Sequence, residues 1–397
     1  MSASAEIGVL GGGIIGTSIA VSIAKLGRPV TLLESLPELG AGATRAAIGG
    51  ITPVSDDYCR SELRLLSKWS AEHYAAWISS IESNAGIEIP FLDSGLLYVG
   101  LTDTEWTFLR DRFSPELEQL GVGFSVIEGA SARLVEPSLT TNVLGLVHIP
   151  LECAVEPAVL MLALSRILKS SSGVKVKTDS KVESIVEESS GVGVITDRGE
   201  YLFERIIVSL GLATRQLFPM LKHLFIGVRG QALELRVPGT VTYPLRHHIY
   251  AHFPSSDNLH VSAYLVPRVD GRIVAGVTYE PNSESPMNTA AGVERILNAA
   301  FSLIPAAIDW EFCRAWSGIR PGTIDRRPII GFWGTSRRVL IASGHFGLGV
   351  TLAPLTSQIT LELLGLSKPE LTLDFDTEYL GITESRLEQA RSASGSR

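Results

Sequence analysis

The chain has 397 residues, 45% of them hydrophobic, with 42 acidic against 34 basic side chains for a net charge of −8. That length favours two cores of roughly 150–200 residues each over one small core. The acidic, mixed balance gives no support to nucleic-acid binding, and no apolar run approaches the roughly 18 residues of a membrane-spanning helix. Three cysteines, Cys59, Cys153 and Cys313, stand far apart without paired spacing. This excludes a disulfide framework or zinc knuckle and suits a reducing cytoplasm. The N-terminus shows no basic region ahead of an apolar stretch and no cleavage site, so the apolar run from Ile7 reads as a buried strand.

In chain order, Ile7–Leu10 is a short apolar strand followed by three glycines. Ile15, Ile19, Ile23 and Leu26 then fall on one face of a helix that Gly27 ends, and Val30–Leu33 is a second strand ending at Glu34. A loop rich in Gly and Ala follows. Residues 60–84 read as an amphipathic helical region. From Ile87 short alternating runs such as 95–99 indicate strands of a different sheet. Helical character returns from Pro157 to Leu168. Strands are expected at 174–176, 181–187, 193–196 and 205–208, and more across 225–280, with turns at Pro238-Gly239 and Asp270-Gly271. A helix is expected over 289–304. After Trp316 come a Pro/Gly-rich turn, a strand at 338–342, a second glycine-rich loop and a helix through Leu366. Residues 386–397, polar and rich in Ser, Arg and Ala, read as a frayed tail. No internal repeat is seen.

Gly11-Gly12-Gly13-Ile14-Ile15-Gly16 satisfies G-x-G-x-x-G. Its place between a strand and a helix gives the pattern meaning. Gly11 permits the tight turn, Gly13 lets a pyrophosphate approach the backbone, and Gly16 lets helix and strand pack closely. The helix N-terminus then faces the phosphates. Glu34 at the end of the second strand can accept hydrogen bonds from ribose hydroxyls and would repel a 2′-phosphate, which argues against NADP. The motif alone leaves NAD and FAD open. Three later features favour FAD: the small-residue loop 42–50, the switch to strand-rich structure, and the second glycine-rich loop Gly344–Gly349. A helix N-terminus at that loop could stabilise negative charge on a reduced flavin.

These residues carry a family resemblance. The unit Gly11–Glu34, the loop 43–49, 264–268 with 271–276, 316–322 with Asp325 and Pro328, and 344–354 together resemble the D-amino-acid oxidase/glycine oxidase family of FAD oxidoreductases, most closely its glycine oxidase branch. The resemblance spans most of the chain and is weak from about 100 to 150. It implies an α/β FAD-binding Rossmann-like domain with an inserted α+β substrate domain on a mainly antiparallel sheet. The FAD domain is expected over 1–86, 150–222 and 317–385, the substrate domain over 87–149 and 223–316, and a disordered tail over 386–397. Cofactor contacts implied by matching position are Gly11, Gly13, Ile14, Ile15 and Gly16 at the pyrophosphate turn and Glu34 and Ser35 at the ribose. Ala43, Thr44, Ile48, Gly49 and Gly50 match the path to the flavin, and Val182 the backbone contact to adenine. His345, Phe346, Gly347, Leu348, Gly349, Val350 and Thr351 match the flavin loop. Arg320 matches the arginine that binds a substrate carboxylate, and Tyr264 an active-site tyrosine. The family's glycine oxidases carry a second arginine in the C-terminal loop where this chain has Gly347, which leaves space for a larger substrate. Covalent members use a cysteine near the Arg-Pro turn. Residues 317–323 contain none, so FAD is expected to be non-covalent.

The implied reaction is oxidative deamination of a small amino acid or secondary amine: hydride passes from Cα to flavin N5, and the imine hydrolyses to an oxo acid. The cofactor performs the redox step, so no metal and no side-chain acid or base is expected. An arginine fork can hold a carboxylate by two parallel bonds. Oxygen, or a quinone or partner subunit, would accept the electrons. A homo-oligomer is left open, and the expected location is the cytoplasm, with peripheral membrane association also open. Other readings are an NAD-dependent dehydrogenase, a dehydrogenase subunit of a larger amino-acid or opine-oxidising complex, and a non-catalytic flavin-binding subunit. From the residues alone, Arg320 could instead pair with Asp325. Arg268 reads as structural, Trp316 as packing beneath the Arg320 turn, His345 as a loop cap, and His247-His248 as a surface pair.

Overall fold

A computed structural model describes residues 4–56, 61–239, 244–253, 260–368 and 379–395. Cys59 and residues 396 and 397 lie outside the described residues. The chain opens with strand β1 (Ser4–Leu10), helix α1 (Ile14–Lys25) and strand β2 (Val30–Leu33). Ile7–Leu10 and Val30–Leu33 are mostly apolar because both faces of these stretches are buried. Ile7, Val9, Val30 and Leu32 join the core beneath α1, whereas Leu10 and Leu33 enter the core on the opposite face. Ile15, Ile19 and Ile23 are buried as their spacing predicts, but Leu26 caps the helix and is 47% exposed. Gly27 follows at φ +69°, a conformation that suits glycine at a helix end.

β1 and β2 pair in parallel, with Val174–Lys177 beyond β2 and Gly199–Val208 on the other side of β1. Gly199–Val208 continues into the antiparallel strands Gly191–Thr196 and Val182–Glu188, and pairs in parallel with Val339–Ser343. Ile329–Trp333 pairs with that last strand and completes an eight-stranded mixed sheet. The parallel strands β1, Gly199–Val208 and Val339–Ser343 all end on one edge, where glycine-rich turns follow.

A second eight-stranded sheet runs in the order Glu311–Thr323, Phe225–Arg236, Arg272–Pro281, His260–Pro267, His248–Phe253, Leu96–Gly100, Gly145–Ile149 and Ser125–Glu128. All neighbours are antiparallel except His248–Phe253 beside Leu96–Gly100. The fold is therefore α/β, Rossmann-like, with a mainly antiparallel second sheet, as expected. A small sheet of Gly50–Ile51, Cys153–Val155 and Phe91–Leu92 lies where the chain crosses between the two. Among the described residues, no helix is long and apolar enough to cross a membrane.

Two expectations are corrected. Residues 316–322 are not a turn but the second half of the strand Glu311–Thr323, which pairs with Phe225–Arg236 along its whole length. Its Pro321 faces a partner strand on one side only, as proline requires of an edge. The tail is also ordered further than its composition suggests. Glu384–Gly395 is helical, and Arg386 within it is 2% exposed. The Arg386 guanidinium donates to both Asp325 oxygens, at 2.6 and 3.1 Å, and to the Gly381 carbonyl at 3.0 Å. Burial holds the Arg386 pKa down while Asp325 pulls it up, and the neighbouring arginines keep the Asp325 carboxyl below the usual range despite burial. Breaking a buried pair strands the remaining charge. Arg386→Ala is expected to destabilise the fold by about 3 kcal/mol, read as a lower urea midpoint. An unchanged midpoint would show that the helix is not latched by this pair.

Candidate functional site

The turn after β1 is shaped by contacts that side chains would forbid. Gly11 has φ +104°, and a Cβ there would stand 2.4 Å from the Ser209 carbonyl oxygen. A Cβ on Gly16 would stand 2.0 Å from the Gly11 carbonyl oxygen, so Gly16 is what lets α1 start directly against the strand. Gly13 differs. Its nearest neighbour would be Thr44 Oγ1 at 3.5 Å, so the missing side chain leaves space on the cavity side. Gly13 is the N-cap of α1 and offers no side-chain cap. Ile14 N–H donates to Thr44 Oγ1 at 3.0 Å. Glu34 is 9% exposed, and its two oxygens are held apart by role. Oε2 accepts from Gly12 N–H at 2.6 Å, and Oε1 accepts from Leu36 N–H at 2.8 Å and Ser35 Oγ at 3.0 Å.

This turn forms one end of a cavity of about 400 Å³. Segment 42–50 forms one wall, the second sheet another, and the loop 342–350 a third. The sequence-predicted residues come together here with four exceptions. Gly16 packs beneath the turn as described. Val182 lies at the start of its strand, away from the cavity, opposite Thr196. Leu348 is directed into an apolar cluster with Leu63 and Leu66, and Thr351 is buried behind the wall, its Oγ1 3.4 Å from the Gly50 carbonyl. These four lie outside the cavity lining.

Arg320 lines the cavity from the edge strand of the second sheet. Its Nη1 donates to the Thr278 carbonyl at 3.1 Å, and its guanidinium crosses Gly230, where a Cβ would come within 2.2 Å of Nη1. The alternative pairing with Asp325 is not formed, because Asp325 is engaged by Arg386 and Arg327. Over Gly347 a Cβ would lie 3.8 Å from Arg320 Nε and 4.0 Å from Asp56 Oδ2, so this glycine, the arginine and a carboxylate converge. His345 is buried and pushed down to about 3 by that burial. It contacts Thr356 Oγ1 at 3.0 Å and is unsuited to acid–base work near neutral pH.

Arg268 is structural: its guanidinium donates to the carbonyls of Ile48 at 2.6 Å and Val155 at 3.3 Å. Trp316 likewise donates from Nε1 to the Ala46 carbonyl at 3.1 Å, tying the second sheet to the wall segment. His247-His248 is not a surface pair. His248 is fully buried and reaches Tyr264 Oη from Nδ1 at 2.7 Å.

Sequence reasoning missed several lining residues. Ser209 follows the strand Gly199–Val208 and lines the cavity, and its Oγ is buried without a hydrogen-bond partner among the described residues. Gln231, Tyr250, Ser262 and Asp56 also line it. The one available signal was that Ser209 follows a parallel strand, at the edge where such sheets bind ligands.

The model of the family described as FAD dependent oxidoreductase matches residues 6–363. The chain belongs to this family. It is 29% identical over 360 residues to a glycine oxidase of Bacillus licheniformis, covering 90% of this chain and 92% of that one. It is 28% identical over 374 residues to the bifunctional protein ThiO/ThiG of Synechocystis sp., covering 92% of this chain. The chain spans about half (52%) of that bifunctional relative's length. The crystal structure of glycine oxidase from Geobacillus kaustophilus superimposes with a TM-score of 0.85 at 26% identity, covering 96% of this chain and 99% of that one. L-proline dehydrogenase from P. horikoshii shares the fold, with a TM-score of 0.79 at 21% identity and 99% coverage of both chains.

The protein is thus an FAD-dependent oxidoreductase, and the cavity suits FAD. Glycines open its floor, a helix start whose N-cap glycine offers no side chain faces it, an acceptor carboxylate stands at the end of β2, and the unpartnered Ser209 hydroxyl points to a further polar contact. Glu34→Gln is expected to weaken FAD binding about ten-fold. An amide cannot accept on both sides, so one backbone N–H would face an NH₂ group. FAD titration of the apoprotein measures this, and unchanged affinity would remove Glu34 from the cofactor site.

Glu152 braces the wall from behind. Its buried carboxyl accepts from the N–H groups of Val54 at 2.9 Å and Ser55 at 2.8 Å and bonds the Ser55 hydroxyl. Burial raises its pKa to about 7, with the Ser55 and Val54 bonds working the other way and Asp56 adding to the rise. The folded-state value lies above the unfolded one, so the folded protein gains a proton. The Glu152 contribution to stability is then present below about pH 4.5 and is lost as pH rises through about 7. Glu152→Gln can keep the same bonds, its amide oxygen accepting and its NH₂ donating to Ser55. Urea midpoints at pH 5 and 8 should differ less in the variant than in the wild type; equal slopes would exclude this titration.

Proposed function

We propose that the enzyme oxidises the α-amine of a small amino acid or secondary amine, a D-amino acid, glycine or N-methylglycine type of substrate, to an imine that water then converts to a 2-oxo acid. The observation carrying this reading is Arg320, the cation on the cavity wall beside the glycine loop. Bound FAD supplies the two-electron acceptor. Gly11, Gly13–Ile15, Glu34, Ser35, the 43–50 wall and the 345–350 loop would hold it, and Ser209 joins this set. Neither Cys153, which is buried, nor Cys313, which is exposed, lines the cavity, which supports non-covalent binding.

Arg320 presents a planar donor pair to a carboxylate and so orients the carbon that bears the amine. Its own orientation is secured by the Thr278 carbonyl and the flat surface of Gly230. The apolar wall from Ile48, Val277 and Phe346 excludes water from that carbon. The missing side chain at Gly347, beside Arg320 and Asp56, supports a substrate larger than glycine. Arg320→Ala is expected to retain FAD while raising KM for the best substrate about 100-fold. The substrate itself is found by anaerobic bleaching of the yellow holoprotein with D-amino acids, N-methylglycine, proline and opines. An unchanged KM would sink the carboxylate clamp.

A further inference from the structure

The second histidine of the pair 247–248 sits on the first residue of the strand His248–Phe253 and is fully buried behind Tyr264. We infer that His248 fixes the direction of the Tyr264 hydroxyl, so that the phenolic oxygen faces the cavity as a hydrogen-bond acceptor and reads the substrate's amine rather than its carboxylate. This rests on the amino-acid reading above and deepens it.

One neighbour of His248 has no choice of role. The Glu152 main-chain carbonyl can only accept, and His248 Nε2 lies 3.1 Å from it, so Nε2 carries the hydrogen. A neutral imidazole has one N–H, which leaves Nδ1 as a lone pair. Tyr264 Oη lies 2.7 Å from Nδ1 and must therefore be the donor. The imidazole stays neutral because burial pushes it down to about 3, with His247 and His148 acting the same way and only the Glu152 carbonyl opposing. The phenol stays protonated because burial, with Glu152 and Cys153 beside it, pushes it well above its ordinary value. With its single hydrogen committed to His248, the oxygen keeps only lone pairs for other partners.

Tyr264 lines the cavity and is itself buried. The oxygen lies so close to Gly50 that a Cβ there would come within 2.0 Å of it, and the absent side chain is what admits it to this wall. An acceptor here repels a carboxylate and attracts an N–H. Primary and secondary amines supply that hydrogen. The 2-oxo acid product offers acceptors only, so the contact that holds the substrate works against the product. Arg320 and Tyr264 thereby divide the substrate: the cation takes the carboxylate and the phenolic oxygen takes the amine. His248 is a positioning residue that acts through Tyr264.

Two measurements on the FAD-loaded protein test this. In ¹⁵N-histidine-labelled holoprotein, long-range ¹H–¹⁵N correlation, assigned by comparison with His248→Asn, should show His248 with its hydrogen on Nε2 near neutral pH. A hydrogen on Nδ1 overturns the inference, and this arm needs no substrate. The second compares the apparent Kd of N-methylglycine, from anaerobic stopped-flow flavin reduction, with the Kd of acetate from the flavin spectrum. Tyr264→Phe should weaken N-methylglycine about ten-fold or more and acetate by less than about two-fold. Equal losses overturn the inference, because the hydroxyl would then serve the carboxylate. His248→Phe releases the hydroxyl hydrogen and should lower the N-methylglycine to acetate preference by a similar factor with FAD retained; an unchanged preference overturns it. A flavin neither reduced nor perturbed by N-methylglycine overturns the amine assignment together with the functional reading, and the histidine spectrum alone then decides the hydroxyl's direction.

Discussion

The site depends on the crossing of three backbone segments near Gly11. The carbonyl of Ser209, the turn at Gly11 and the first turn of α1 come so close that a single Cβ on Gly11 or Gly16 would overlap a carbonyl oxygen. That closeness brings the start of α1, the end of β2 and the end of the strand Gly199–Val208 to one point. A helix start, a carboxylate and a buried hydroxyl then face the same volume. Loosening the crossing would disperse these groups, because each is carried by a different element.

A second constraint joins the two sheets. Two carbonyls of the wall segment 43–50 are taken by side chains of the other sheet. Ile48 bonds Arg268 and Ala46 bonds Trp316. A buried arginine is costly unless its donors are satisfied. Arg268 meets that cost with main-chain oxygens rather than a carboxylate, so it acts as a rivet between the cavity wall and the second sheet. Arg320 and Tyr264 come from the same sheet, and the rivet holds their distance from the wall.

Much of this was legible in the sequence, for reasons of locality. The Gly11–Glu34 unit is written in thirty residues with turn, helix and strand in the order that the chemistry needs, and its glycines have local steric causes. The loop at 344–350 was legible for the same reason. What was missed depended on distant partners. Nothing around His248 announces that the Glu152 carbonyl and the Tyr264 hydroxyl will flank it, and His247 precedes the strand that His248 opens. Ser209 follows an ordinary strand, and its role comes from the crossing at Gly11. The C-terminal segment has the composition of a disordered tail, yet Arg386 finds Asp325 some sixty residues away and pins the helix. Leu26 erred the other way: its spacing favoured a buried face, and its place at the helix end exposes it.

The strand Glu311–Thr323 begins at the exposed rim, where Phe312 is 53% exposed, and ends at the cavity, paired over its whole length with Phe225–Arg236. Arg320 is therefore mounted on a ladder rather than on a flexible arm. A residue mounted in this way acts as a fixed datum: its position is shared with a dozen main-chain bonds and cannot drift to suit a new ligand. Divergence in what such a site accepts must then proceed elsewhere on the wall, as in the 344–350 loop, where a side chain in place of Gly347 would alter the room available without moving the strand.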